Sequence, residues 1–268
     1  STGWEEAVSA GWWWMIGFFA ASLILIGFQL FMAKILINRA PLLKTERKRE
    51  MTVLFAMHNA GYVPLPIIAA LSPQSLVIYM FFFFLAFNIS FWTVAVSYLT
   101  GGERKGLVFK PNAPLFGIIA GLGIAVSGIY DEFPRVVTFP LEIIGRITLD
   151  LILVVLGGIL AGVPKKHIKI KREYWGYVLY KMILFPLIIF TIMLFLPLKG
   201  INEKLSFGIK IAAVLEAVVP PATNNVIAAK VFGTEDQVKY IGNAVILTYG
   251  VSMITIPVFI LLSVLLFG

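Results

Sequence analysis

Long apolar stretches follow one another along this chain with only short polar connections between them, at 11–36, 51–71, 75–99, 113–130, 140–163, 174–198, 205–231 and 238–267. A helix of about 20 apolar residues crosses about 30 Å of hydrocarbon, so each stretch is a candidate span. The pattern predicts an all-α polytopic membrane protein with eight spans and no room for a soluble domain. Two of the spans are broken in the middle. The second reads Met57-His58-Asn59-Ala60-Gly61-Tyr62-Val63-Pro64-Leu65-Pro66, and the seventh reads Val218-Val219-Pro220-Pro221-Ala222-Thr223-Asn224-Asn225. Proline has no N–H to continue a helical ladder, so each of these spans becomes two half-helices. Unwound backbone at membrane depth is tolerated only where it is buried in protein or lines a cavity.

Composition agrees with the membrane assignment. The mean hydropathy is +0.92, 59% of residues are hydrophobic and 13% are charged. The net charge of +8 does not point to nucleic acid, because the basic residues fall in alternate connections. The clusters Arg39 to Arg49, Arg104 to Lys110 and Lys165 to Arg172 belong to one face, with Lys230 and Lys239; the other face has only Arg135, Lys199 and Lys204. By the positive-inside rule the first face is cytoplasmic, which places both termini outside a cytoplasmic membrane, with membrane lipid as the surrounding partner. There is no cysteine, hence no disulfide framework and no thiolate metal site.

The two broken spans run in opposite directions and hold equivalent places in two three-span units, 11–99 and 174–267. Equivalent order with inverted topology is the pattern of an inverted repeat, and interrupted helices in both halves point to the central site of a secondary transporter. Two further spans, 113–130 and 140–163, precede the second unit. Symmetry therefore predicts two helices ahead of Ser1, ten in all. The corresponding division is a first repeat at 1–100, an intermediate pair of spans within 101–172, and a second repeat at 173–268.

The stretch Ala213-Val214-Leu215-Glu216-Ala217-Val218-Val219-Pro220-Pro221-Ala222-Thr223-Asn224-Asn225, continued to Gly233, resembles the second crossover helix of the auxin efflux carrier family of permeases. That family is part of the larger superfamily that includes the bile acid–sodium symporters. Asn59 to Pro66 is similar to the first crossover, with weaker matches at Asn112-Ala113-Pro114, Leu156 to Leu160, Lys181 with Pro186, and Ile256-Pro257. The resemblance implies an elevator-type carrier, a homodimer, in which the two three-span units form the moving part and the intermediate pair belongs to the scaffold. It also implies small carboxylates or auxin-like anions as substrates. Glu216 departs from the auxin carriers and is more similar to the sodium-coupled bile acid relatives, whose kind of symport is the alternative.

The site chemistry follows from the breaks. The new helix starts near Pro64 and Pro221 place positive dipole ends near mid-membrane, where they favour an anion. Asn59, Gly61, Tyr62, Pro64, Pro220, Pro221, Asn224 and Asn225 are the candidate substrate-binding residues. Glu216, one turn ahead of Pro220, is expected to ligate Na+ or carry a proton, with Asn225, Asp150 and His58 as further ion-coupling candidates. Purely structural roles stay open beside these. The prolines can kink helices, the asparagines can satisfy freed backbone, and Glu216 can pair with a cation such as Lys181. Glu142, Arg146 and Asp150, spaced for one helix face, can form an ion ladder. Gly117/Gly121 and Gly158/Gly162 have the spacing of close helix packing.

An intramembrane enzyme would need a nucleophile with a base or an aspartate-rich metal motif, and Asp150 is the only aspartate within a span. No enzyme activity and no cofactor beyond a coupling Na+ are expected. A channel or sensory membrane domain remains a competing class, since broken helices occur there too.

Overall fold

The structure, a computed structural model, describes residues 7–8, 11–101, 113–161, 169–198 and 200–268. Among the described residues, four helices are long and apolar enough to cross a membrane: α1 (Trp13–Arg39), α4 (Gln74–Leu99), α7 (Arg172–Phe195) and α10 (Glu235–Phe267). Between them lie the two broken apolar stretches, each a pair of shorter helices. The first consists of α2 (Lys48–Ala56) and α3 (Pro64–Leu71), the second of α8 (Glu203–Val218) and α9 (Asn224–Phe232). The remaining helices are α5 (Ala113–Ser127) and α6 (Arg135–Ala161). Among the described residues there is no β-strand, only an isolated antiparallel bridge between His58 and Pro221.

Local chemistry sets the helix ends that face water. Asn202 accepts from the Leu205 N–H at 2.7 Å and starts α8. Thr234 and Gln237 form a reciprocal capping box at the start of α10, each satisfying an N–H that the helix leaves open. The interior starts at Pro64 and Asn224 have no such side-chain cap. Val219 precedes Pro220 and adopts ψ 146°, an extended geometry that a following proline imposes. The second half-helix consequently begins at Asn224 rather than at Pro221. Helix α6 begins at Arg135, ahead of the expected 140, and carries Pro140 inside it. So near the start a missing N–H breaks only one rung of the ladder.

Helix α1 packs on α2 and α4, and α8 packs on α7 and α10. The halves meet where α3 touches α8 and where α2 and the end of α4 touch α10 and α9. Their shared core includes Met51, Leu54, Ile68, Tyr79, Tyr177, Val218, Ala228 and Ile241, all essentially buried. The outward faces of the long helices remain apolar, with Ile24, Phe31, Met253 and Ile254 each more than 60% exposed. Such a surface suits lipid contact and would be a liability in water. The described side chains of α5 and α6 are mostly exposed as well. A Cβ added at Gly117, Gly121 or Gly158 would meet nothing within 4 Å, so their spacing serves no packing among the described residues.

Packing is close where α7 starts against the short 3-10 turn Pro41–Leu43. A Cβ at Gly176 would lie 2.6 Å from the Leu42 carbonyl oxygen, a backbone atom with little room to yield. Gly176→Ala is therefore expected to destabilise the protein by about 1–3 kcal/mol. Gly250→Ala, at a helical position with nothing within 4 Å, is expected to be neutral or to stabilise by up to about 1 kcal/mol. Thermal unfolding of both variants in detergent checks the contrast.

Candidate functional site at the crossing of the interrupted helices

The unwound segments 57–63 and 219–223 cross and pair with each other. The Asn59 N–H donates to the Pro220 carbonyl at 2.9 Å, and the Ala222 N–H donates to the Met57 carbonyl at 2.8 Å. These two bonds flank the His58–Pro221 bridge. The Asn225 side-chain amide adds a second donor to the Met57 carbonyl, at 2.9 Å.

A helix that stops leaves its last four carbonyls without intrahelical partners. At the end of α2 those groups are met from other helices. The Leu54 carbonyl accepts from the Tyr177 hydroxyl at 3.0 Å. The Gln29 carboxamide of α1 faces only acceptors, so its nitrogen is the atom turned to them. It lies 3.0 Å from the Phe55 carbonyl, 3.1 Å from that of Ala56 and 3.1 Å from His58 Nδ1. This assignment follows from the hydrogen-bond network. It makes Nδ1 an acceptor and leaves the His58 proton on Nε2, which donates to Glu216 Oε2 at 2.9 Å.

The end of α8 is treated likewise. Lys181, in a π-helical stretch of α7 (Val178–Leu184), donates its ammonium to the Ala217 carbonyl at 3.0 Å. Its Nζ also stands 4.8 Å from the centre of the Phe185 ring. A cation at a helix C-terminus is favourably placed against the helix dipole. Lys181 thus neighbours Glu216 without being its hydrogen-bond partner; that partner is His58.

His58 is fully buried, Glu216 is 3% exposed and Lys181 is 1% exposed. Glu216 Oε1, Thr223 Oγ1 and Asn225 Oδ1 are buried oxygens with no hydrogen-bond partner. All three belong to the second interruption or the turn before it. Glu216 also closes an apolar cavity of about 590 Å³ between α1, α4, α7 and α8, with Phe18, Phe28, Phe83 and Met193 in its wall. Among the described residues no three His, Asp or Glu side chains cluster as a metal site.

The other expected residues divide by engagement. The Asn59 amide nitrogen donates to the Tyr249 hydroxyl at 2.6 Å, and its oxygen accepts from the Tyr62 N–H at 2.9 Å. Both ends of that side chain are in use. Gly61 has a packing reason, since a Cβ there would lie 2.6 Å from the Phe84 ring. Pro64, Pro220 and Pro221 are buried, whereas Tyr62 and Asn224 are partly exposed. Glu142 is exposed and accepts from the Tyr130 hydroxyl at 3.4 Å. The side chains of Arg146 and Asp150 lie outside the described ones, so neither the ion ladder nor the Asp150 role has a geometry here.

Gln29, Tyr177 and Tyr249 are members of the site that sequence reasoning passes over. Gln29 carried a usable signal, a lone amide in the midst of Ile26-Gly27-Phe28-Gln29-Leu30-Phe31. The two tyrosines carried none, because tyrosine is ordinary in such helices.

Removing one partner of a buried pair leaves the other uncompensated. His58→Ala and Glu216→Ala are each expected to cost about 3 kcal/mol or more, with a coupling energy above about 1 kcal/mol in the double-mutant cycle. Additive losses in detergent unfolding would contradict the contact. The Gln29 amide has two N–H donors among three acceptors, so Gln29→Leu strips the donor from at least one buried carbonyl and is expected to cost about 1–3 kcal/mol.

A family model described as membrane transport protein matches residues 103–260. No curated protein and no solved structure matches the chain.

Proposed function

The chain belongs to the membrane transport protein family, of auxin efflux carrier type, and from that premise we propose a secondary active transporter of small organic anions, carboxylates or auxin-like acids. It works across the cytoplasmic membrane, with both termini outside, by elevator-type alternating access. The two three-span units, α1 to α4 and α7 to α10, are inverted repeats that move together. Helices α5 and α6 belong to the scaffold and to a homodimer. The observation that carries this proposal is the backbone pairing of the two interruptions, with two uncapped helix starts beside it.

The starts at Pro64 and Asn224 supply positive dipole ends for the anion, while the Leu65, Asn225 and Val226 N–H groups beside them are met by the Gly61, Ala222 and Thr223 carbonyls. Partly exposed Tyr62 and Asn224 contact it directly. Asn59, Asn225, Gly61, Pro64, Pro220 and Pro221 set the frame that aims those groups. Coupling to Na+ or H+ runs through Glu216 and His58, which share a hydrogen bond at 2.9 Å. For Na+, the unpartnered oxygens of Glu216, Thr223 and Asn225 are hard ligands of the right kind. For H+, the His58–Glu216 bond provides the proton-carrying pair. Asp150 is a further coupling candidate.

Saturable uptake of radiolabelled mono- and dicarboxylates by proteoliposomes tests the proposal. Asn224→Ala is expected to raise KM about tenfold, the loss of a hydrogen bond to a charged group. Asn59→Ala and Asn225→Ala are expected to abolish transport. Glu216→Gln is expected to retain exchange of substrate while losing its response to imposed ion gradients. Unchanged transport in all three asparagine variants would overturn the site. Flux indifferent to both sodium and proton gradients in the unaltered protein would overturn the coupling.

A further inference from the structure

Among the described residues, a concentration of charge lies away from the crossing, where α1 ends, α2 begins and α7 begins. A cleft of about 890 Å³ opens there, with Arg39, Lys44, Arg47, Lys48 and Lys171 in its wall. Two carboxylates, Glu46 and Glu173, oppose these five cations. We propose that this cleft binds a phosphate group, of the kind carried by an anionic phospholipid headgroup or by free phosphate.

The cations are not equally committed to the fold. Arg47 is held by Glu50 and Asp236, each at 3.3 Å. Lys48 donates to the Asn38 side-chain oxygen at 2.8 Å. Lys171 lies 4.0 Å from Glu173, and its Nζ is 5.1 Å from the centre of the Tyr240 ring. Glu173 also accepts from the Thr45 hydroxyl at 3.4 Å. Arg39 and Lys44 form no hydrogen bond or ion pair among the described residues, and both are exposed at the cleft. Two charges are thus left for a ligand after the fold has used the others.

Backbone geometry adds to the side chains. Arg47 and Lys171 are the N-cap residues of α2 and α7, and neither helix start has a side-chain cap. Two positive helix ends therefore point to the same region, the arrangement that suits phosphate oxygens. The flanking surface suits the rest of a lipid. Exposed Ile24, Phe28 and Phe31 run along α1 towards the cleft, and Trp175 stands 53% exposed one turn into α7. Indole at the end of a span is typical of the headgroup level.

Native mass spectrometry of the full chain, supplied with phosphatidylglycerol or phosphatidylcholine, tests the site. The unaltered protein is expected to retain phosphatidylglycerol at least about tenfold better. The Arg39→Gln/Lys44→Gln double variant is expected to bind it about thirtyfold more weakly, the effect of two basic side chains at an anionic surface. Its lipid-free unfolding temperature stays unchanged, because neither side chain has a partner among the described residues. Lys204→Gln/Lys230→Gln, away from the cleft, leaves retention as it was. Equal retention of the two lipids, or full retention by the cleft variant, overturns the proposal. Inorganic phosphate as competitor separates the sources: displacement of the lipid marks a free-phosphate site, and persistence of the lipid marks a headgroup site. As a readout without variants, the thermal shift caused by phosphatidylglycerol shrinks with rising salt; a salt-independent shift overturns the proposal.

Discussion

Every backbone N–H and C=O exposed by breaking a helix inside a bilayer needs a partner from the protein, since lipid offers none. The rest of this structure is organised around meeting that demand at two places at once. The carbonyls of residues 54 to 57 face donors from four other elements: Gln29 of α1, Tyr177 of α7, Asn225 of α9 and the backbone of Ala222. The second break returns the debt through Pro220, which accepts from Asn59, and through Ala217, which accepts from Lys181. The crossing is a mutual solution to one desolvation problem.

This arrangement explains why charged and titratable groups can sit so deep. Glu216, His58 and Lys181 are each buried, and an isolated ion at that depth would be costly. Here the carboxylate has an imidazole, the imidazole has a carboxamide, and the ammonium has the C-terminal end of a half-helix. What the fold leaves unmatched is as informative. The starts of α8 and α10 are capped by their own side chains, while those of α2, α3, α7 and α9 are not. Acceptors on Glu216, Thr223 and Asn225 are also left over. Buried hydroxyls of Ser22, Ser72, Thr255 and Ser263 are unpartnered too, so it is the grouping of three such oxygens at and just before the second interruption that sets that region apart.

Particular residues show how far the chain could be read without coordinates. Pro64 and Pro220 mark the breaks, because loss of an N–H acts locally and is visible in a one-dimensional string. The asparagines were legible as polar groups in apolar surroundings, but their duties were not. Asn59 and Asn225 look like ligand donors, yet both amide nitrogens are committed to Tyr249 and Met57. Lys181 was legible as a cation with which Glu216 could pair if its role were structural. The carboxylate instead took His58, on a segment 158 positions away. Spacing carries no information about such partners, since they meet only when helices cross.

Hydropathy and residue type by themselves determined a membrane protein, its apolar spans, the two interruptions and the likeness to a carrier family. These depend on local physics: the length of helix needed to cross hydrocarbon and the absence of a proline N–H. Tertiary structure alone decided that the interruptions pair strand-like across His58 and Pro221, that Gln29 holds the His58 proton on Nε2, and that Glu216 faces His58 rather than Lys181. The reason is that hydrogen bonds are directional and reach about 3 Å. Which donor meets which carbonyl is settled only by the packing angle and register of helices far apart in the chain.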